Sequence, residues 1–105
     1  MSNTARLGQF EEYVLRAVQL LGENAYGVSI RQTVCDATNR DVALSGIYAA
    51  LDRLSDKGFA ETWLGEPTPQ RGGRAKRYYR ITGLGEQLLR EIARSRTRLT
   101  PILEA

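Results

Sequence analysis

Apolar side chains recur along this chain with two different periods, and the places where the period changes mark out its elements. From Phe10 they fall at Phe10, Val14, Ala17, Val18 and Leu21, one face of a 3.6-residue helix, with Gly22 as the stop. A second helical pattern runs from about Val28 to Thr38, with Tyr26, Ile30, Val34 and Ala37 on one side and Asn39 as terminator. The third begins near Ser45, whose hydroxyl can cap a helix start. It carries Ile47, Tyr48, Leu51 and Leu54 inward and ends at Lys57 and Gly58. The period then drops to two: Phe59, Glu61 and Trp63 alternate with Ala60, Thr62 and Leu64, and a second extended run spans Lys76 to Ile81. Between them, Gly65 to Ala75 holds Pro67, Pro69, Gly72 and Gly73, which predicts an exposed, mobile hairpin tip. Thr82 stands where an N-cap would open a last helix through Leu84, Leu88, Leu89 and Ile92 towards Arg98, leaving Leu99 to Ala105 as a short tail.

Three helices, a two-stranded hairpin and a C-terminal helix predict an α+β, mostly helical fold of the winged helix-turn-helix kind. Helices two and three would form the DNA-reading pair and the hairpin the wing. At 105 residues and 42% apolar, the chain is expected to form a single domain, 1–105, whose modest core leaves no room for a catalytic cleft. The apolar stretch from Phe10 to Leu21 is interrupted by Glu11, Glu12, Arg16 and Gln19, so neither a signal peptide nor a membrane span is expected, and the predicted location is cytoplasmic. Glu11 and Glu12 read as solvent-facing charges on different faces of the first helix. The lone Cys35 cannot form an internal disulfide and reads as a plain thiol.

Charge sharpens this picture because it is unevenly spread. The chain carries a formal +3, but residues 1–70 sum to −3 and residues 71–98 to +7. Such a local excess of positive charge suggests a polyanionic partner. Arg71, Arg74, Lys76 and Arg77 lie within seven residues without an acid, placed to lie along phosphates or enter a minor groove. Ser45, Gly46 and Ala49 give the third helix the small, polar N-terminal end that a major groove admits. Tyr48 can offer its hydroxyl to a phosphate or pack on the core, and Arg53 can reach the DNA backbone or pair with an acid inside the domain. Arg90, Arg94 and Arg98 form a row on the last helix that reads mainly as a solvated face. Enzyme chemistry has little to build on: there is no His, no Cys cluster, no phosphate-cradling Gly loop ahead of a helix and no paired carboxylate in a cleft. No metal or cofactor is expected. A winged module that binds RNA or another protein stays open as an alternative.

The run Gly46-Ile47-Tyr48-Ala49-Ala50-Leu51-Asp52-Arg53-Leu54-Ser55-Asp56-Lys57-Gly58-Phe59 resembles the recognition-helix segment of PadR-type transcriptional regulators. Gly72-Gly73-Arg74-Ala75-Lys76-Arg77-Tyr78-Tyr79-Arg80-Ile81-Thr82, with Gly85 following, resembles their wing strand and its paired tyrosines. The Tyr26-Gly27 pair and the opening Phe10 to Leu15 also fit, so the resemblance spans roughly residues 7–92. Two positions depart from the pattern: Ser45 precedes Gly46, and Ala49 stands where a Pro often follows the Tyr. The long C-terminal dimerisation region of many members is reduced here to one helix and a tail.

The resemblance implies a regulator, most simply a repressor, that binds double-stranded DNA at a palindromic promoter operator as a homodimer. It leaves room for a small-molecule effector that nothing in the sequence identifies; Trp63 reads as strand packing rather than a ligand platform. The dimer is expected to use residues 83–105 and the first helix, through Phe10, Tyr13, Leu15, Leu88, Leu89, Ile92, Leu99 and Ile102, whose apolar surface exceeds what one domain need bury.

Overall fold

A computed structural model describes residues 7–66 and 75–103, with only the backbone of the last two. The elements are α1 (Gln9–Leu21), α2 (Gly27–Thr38), α3 (Leu44–Asp56), β1 (Ala60–Leu64), β2 (Arg77–Ile81) and α4 (Gly83–Leu103), with a single 3₁₀ turn, Gly22–Asn24, after α1. Order and type match the winged helix-turn-helix expectation. β1 and β2 pair antiparallel in the register Ala60 to Ile81 and Leu64 to Arg77.

Local chemistry explains most of the boundaries. Asn39 ends α2 in the left-handed conformation (φ 56°), a state its short polar side chain tolerates. Gly58 follows α3 at φ 84°, where a side chain would be strained. The Gly85 N–H donates to the Thr82 hydroxyl at 3.1 Å, so Thr82 caps α4 as its sequence position suggests. α2 opens with a cap that its sequence pattern concealed: the Tyr26 N–H donates to Ser29 Oγ at 3.0 Å, while the Ser29 hydroxyl donates to the Asn24 carbonyl at 2.6 Å.

Two expected boundaries are corrected. α3 starts at Leu44 with Ala43 as its N-cap, so Ser45 sits inside the first turn and caps nothing. Its start is set from α2 instead: Arg31 Nε donates to the Val42 carbonyl at 2.5 Å and its guanidinium pairs with Asp41 at 2.8 Å, while the Val42 N–H points at Cys35 Sγ. The expected tail from Leu99 is helical to Leu103. Pro101 removes only one backbone donor there, and the Thr100 hydroxyl bonds the Arg96 carbonyl at 2.8 Å.

The core is a continuous cluster in which Val14, Leu15, Ile30, Ile47, Leu51 and Leu54 are fully buried and Phe59, Tyr79, Leu88 and Leu89 complete the packing. The sheet joins it through Tyr79, whose N–H donates to the Ala25 carbonyl at 2.9 Å. Leu15, Leu88 and Leu89, expected on a dimer face, are corrected to this core: α4 needs an apolar stripe to hold its first turns against α1 and the sheet.

Glu11 and Glu12 are a further correction, for both are buried. Glu11 accepts from Arg53 Nε at 2.5 Å and Lys57 Nζ at 3.0 Å, both on or just after α3. Glu12 accepts from Arg16 Nε at 2.8 Å and from Arg96 of α4 at 3.3 Å. Burial pushes each carboxyl up. For Glu11 the bonds from Arg53 and Lys57 outweigh it, and for Glu12 those from Arg16 and Arg96, so both end below the ordinary 4.5. A carboxylate with a lowered folded-state pKa contributes stability that is complete above its unfolded value and is lost as pH falls through the folded one.

Glu11→Gln and Glu12→Gln are each expected to cost about 1–3 kcal/mol near neutral pH. The double variant should lose less stability than the wild type between about pH 5 and pH 2, because the acid-sensitive part has been removed. Urea unfolding midpoints across that range check both statements.

Candidate nucleic-acid interface

Three elements meet at one end of the molecule. The N-terminal half of α3, the first turn of α2 and the base of the hairpin enclose a groove of about 410 Å³, lined by Tyr26, Gly27, Val28, Tyr48, Leu64, Ala75, Lys76 and Arg77. α3 presents Ser45, Tyr48 and Ala49 outward beside the half-buried Gly46, while Ile47, Ala50, Leu51 and Leu54 anchor its other side. Tyr48 is 39% exposed, so it is a surface residue and not a core one. Its ring lies across Gly27. A Cβ at that position would fall well inside van der Waals contact with the Tyr48 hydroxyl, so only glycine lets the ring rest on the start of α2. The first amides of α2 have no intrahelical acceptor and carry the positive end of the helix dipole.

The base of the wing supplies the charges. Lys76 Nζ sits 3.7 Å from the centroid of the Tyr26 ring, and Arg77 Nη1 reaches Thr62 Oγ1 at 3.4 Å while remaining exposed. Arg53 lies on α3 but is turned to Glu11, the internal-acid alternative left open by the sequence. Asp52 and Asp56 are exposed further along α3, whose N-terminal half, 44–51, carries no charged side chain. Arg71 and Arg74 lie outside the described residues. Arg90, Arg94 and Arg98 are exposed along α4, with Phe10, Tyr13 and Ile92 partly buried nearby and Leu99 exposed; the Ile102 side chain lies outside the described residues.

The part played by the start of α2 escaped the sequence reading. Tyr26-Gly27 was legible as a recurring pair, but the ring it serves lies on another helix. A glycine directly after an aromatic, followed two residues on by a capping serine, was the available signal.

This arrangement, with the start of α2, the N-terminal half of α3 and the base of the hairpin lining one groove, is that of the winged helix DNA-binding fold. The chain belongs to the PadR-like family of transcriptional regulators, whose model matches residues 15–91. An uncharacterized protein of Lysinibacillus sphaericus is 30% identical over 99 residues, covering 92% of this chain and 86% of that one. Among solved structures, a PadR-like transcription factor from Bacteroides fragilis superposes with a TM-score of 0.77 at 25% identity, over 92% of this chain and 88% of that chain. A PadR-like regulator from Bacillus cereus matches with a TM-score of 0.73 at 22% identity, over 90% and 87% of the two chains, a likeness of fold. A family of transcriptional regulators is not an enzyme class. Among the described residues no helix is long and apolar enough to cross a membrane.

Gly27→Ala should displace the Tyr48 ring from α2 and abolish the nuclear Overhauser contacts between residue 27 and that ring. Stability should change by less than about 1 kcal/mol, since alanine favours the helix while the tyrosine end is free to move.

Proposed function

We propose that this chain is a dimeric repressor that binds a palindromic promoter operator and blocks polymerase by occupying it. One observation carries the reading: Tyr48, the α2 N-terminus, Lys76 and Arg77 converge on one groove, with the small residues of α3 beside it. Ser45, Gly46 and Ala49 enter the major groove, Ser45 donating to a base edge or phosphate and Gly46 permitting close backbone approach. Tyr48 and the first amides of α2 hold one phosphate, and Lys76 and Arg77 hold the next, with Arg71 and Arg74 extending that row. The acidic Asp52 and Asp56 tip the C-terminal half of α3 away from the phosphates, so the helix reads DNA with its N-terminal end. Arg53 serves the fold through Glu11 and touches the backbone only secondarily.

A single copy offers too few base contacts for an operator, and two-fold symmetry supplies the second half-site. α1 and α4 provide the interface. α4 is about 31 Å long, and its later turns carry the exposed Leu99, while Leu20 of α1 is 77% exposed beside a groove lined by Tyr13 and Ala17. Residues 83–105 of a single domain thus serve dimerisation, with Phe10, Tyr13, Ile92, Leu99 and Ile102 in the contact, and the protein acts in the cytoplasm.

Fluorescence anisotropy with a duplex from the protein's own upstream promoter tests this reading. The wild type should prefer that duplex over a scrambled one. Lys76→Ala combined with Arg77→Ala should flatten the log-log salt slope by about 1.8, at about 0.9 per phosphate contact. Equal binding to both duplexes, or tighter binding to RNA, contradicts it. Sedimentation at micromolar concentration should give twice the 11.7 kDa chain mass; a monomer would remove the dimer.

A further inference from the structure

The exposed face of α3 holds one polar group that neither the fold nor the phosphate contacts use. Residues seven apart on a helix differ by only about 20° in direction, so Asp52 projects almost as Ser45 does, about 10 Å further along the axis, with Ala49 on the turn between them. Asp52 is exposed and has no hydrogen-bond or ion-pair partner among the described residues, whereas its neighbour Arg53 is held by Glu11. No Asn, Gln or Lys occurs between Leu44 and Asp56. With Arg53 turned away, α3 has no side chain for the two-bonded contacts that read guanine or adenine. Its face offers the hydroxyls of Ser45 and Tyr48, then the Asp52 carboxylate, with Asp56 a further turn out.

An ionised carboxylate only accepts hydrogen bonds. Phosphates repel it, and so do most base edges of the major groove: guanine shows O6 and N7, thymine shows O4, and adenine sets N7 beside its amino group. Cytosine alone shows an amino group with no acceptor on its own edge. We propose that Asp52 is a specificity-determining residue that selects a cytosine in each operator half-site by accepting a hydrogen bond from its N4 amino group. The same carboxylate refuses the other three bases at that position, so discrimination comes from exclusion as well as from the bond gained. This inference rests on the operator reading above and adds to it the base that the middle of α3 demands.

Competition anisotropy tests it with the upstream promoter duplex, a scrambled duplex, and a panel in which each base pair of the half-site is replaced symmetrically by the other three. The wild type should show one position at which cytosine is preferred by about tenfold, and a 2-pyrimidinone base there, which lacks the exocyclic amino group, should cost about as much. Asp52→Asn should move the preference at that position to adenine, whose N6 and N7 suit an amide. Asp52→Ala should flatten it and bind the cytosine and pyrimidinone duplexes alike, with preferences at other positions kept. Both variants should unfold at the wild-type temperature, since the side chain is exposed and partnerless. A wild type that prefers the promoter but is indifferent to the amino group overturns the proposal alone, as do variants that bind every duplex more tightly without changing the preferred base. A wild type that binds promoter and scrambled duplexes equally overturns the operator reading and this proposal with it.

Discussion

Two neighbouring carboxylates at the start of α1 hold the two helices on which the rest of the domain depends. Glu11 takes Arg53 and Lys57 at the end of α3, and Glu12 takes Arg16 of its own helix and Arg96 far along α4. Neighbouring residues on a helix point about 100° apart, so one short stretch of α1 can serve two different partners. Two buried carboxylates would be costly alone, and four cations with exposed stems make the arrangement favourable. The result is that the recognition helix and the long terminal helix are both referred to the same rigid element.

The wing is held by a different kind of contact. Its inner face buries Tyr79, with burial pushing the phenol's pKa up, and its outer face builds a chain of rings and cations. Lys76 lies over Tyr26, Tyr26 meets Tyr78 edge-on at 5.6 Å, Tyr78 stacks on Trp63, and Arg80 lies against Trp63. A two-stranded hairpin is weak by itself. Docking through Tyr79 and this aromatic row holds its base where Lys76 and Arg77 line the groove shared with Tyr48 and the start of α2.

What was legible in the sequence was what short-range chemistry decides. Asn39, Gly58 and Thr82 announce their helix ends because each acts on its own backbone, and the change of period at Phe59 announces the strands. What depends on distant partners was hidden. Glu11 and Glu12 look like surface charges because the residues that pair with them across the fold lie 42 to 84 positions away. α3 begins at Leu44 and not at a capping Ser45 because Arg31 on another helix holds the turn. Leu88 and Leu89 look like spare apolar surface until α4 is laid against α1. The candidate interface divides the same way: the exposure of Ser45 and Ala49 on α3 and of Arg77 at the wing base follows from local pattern, whereas Gly27 under Tyr48 and the tie of Arg53 to Glu11 do not.

The central claim is that DNA is read by the end of the molecule where α2, α3 and the wing meet, while the α1 carboxylates support that end without touching DNA. Backbone amide shifts of the isotope-labelled protein, followed as a promoter duplex is added, test it most directly. The account predicts the largest changes at Gly27, Val28, Ser45, Gly46, Tyr48, Lys76 and Arg77, with Glu11 and Glu12 little affected. Changes centred instead on Arg90, Arg94 and Arg98 of α4, with α3 silent, would contradict it.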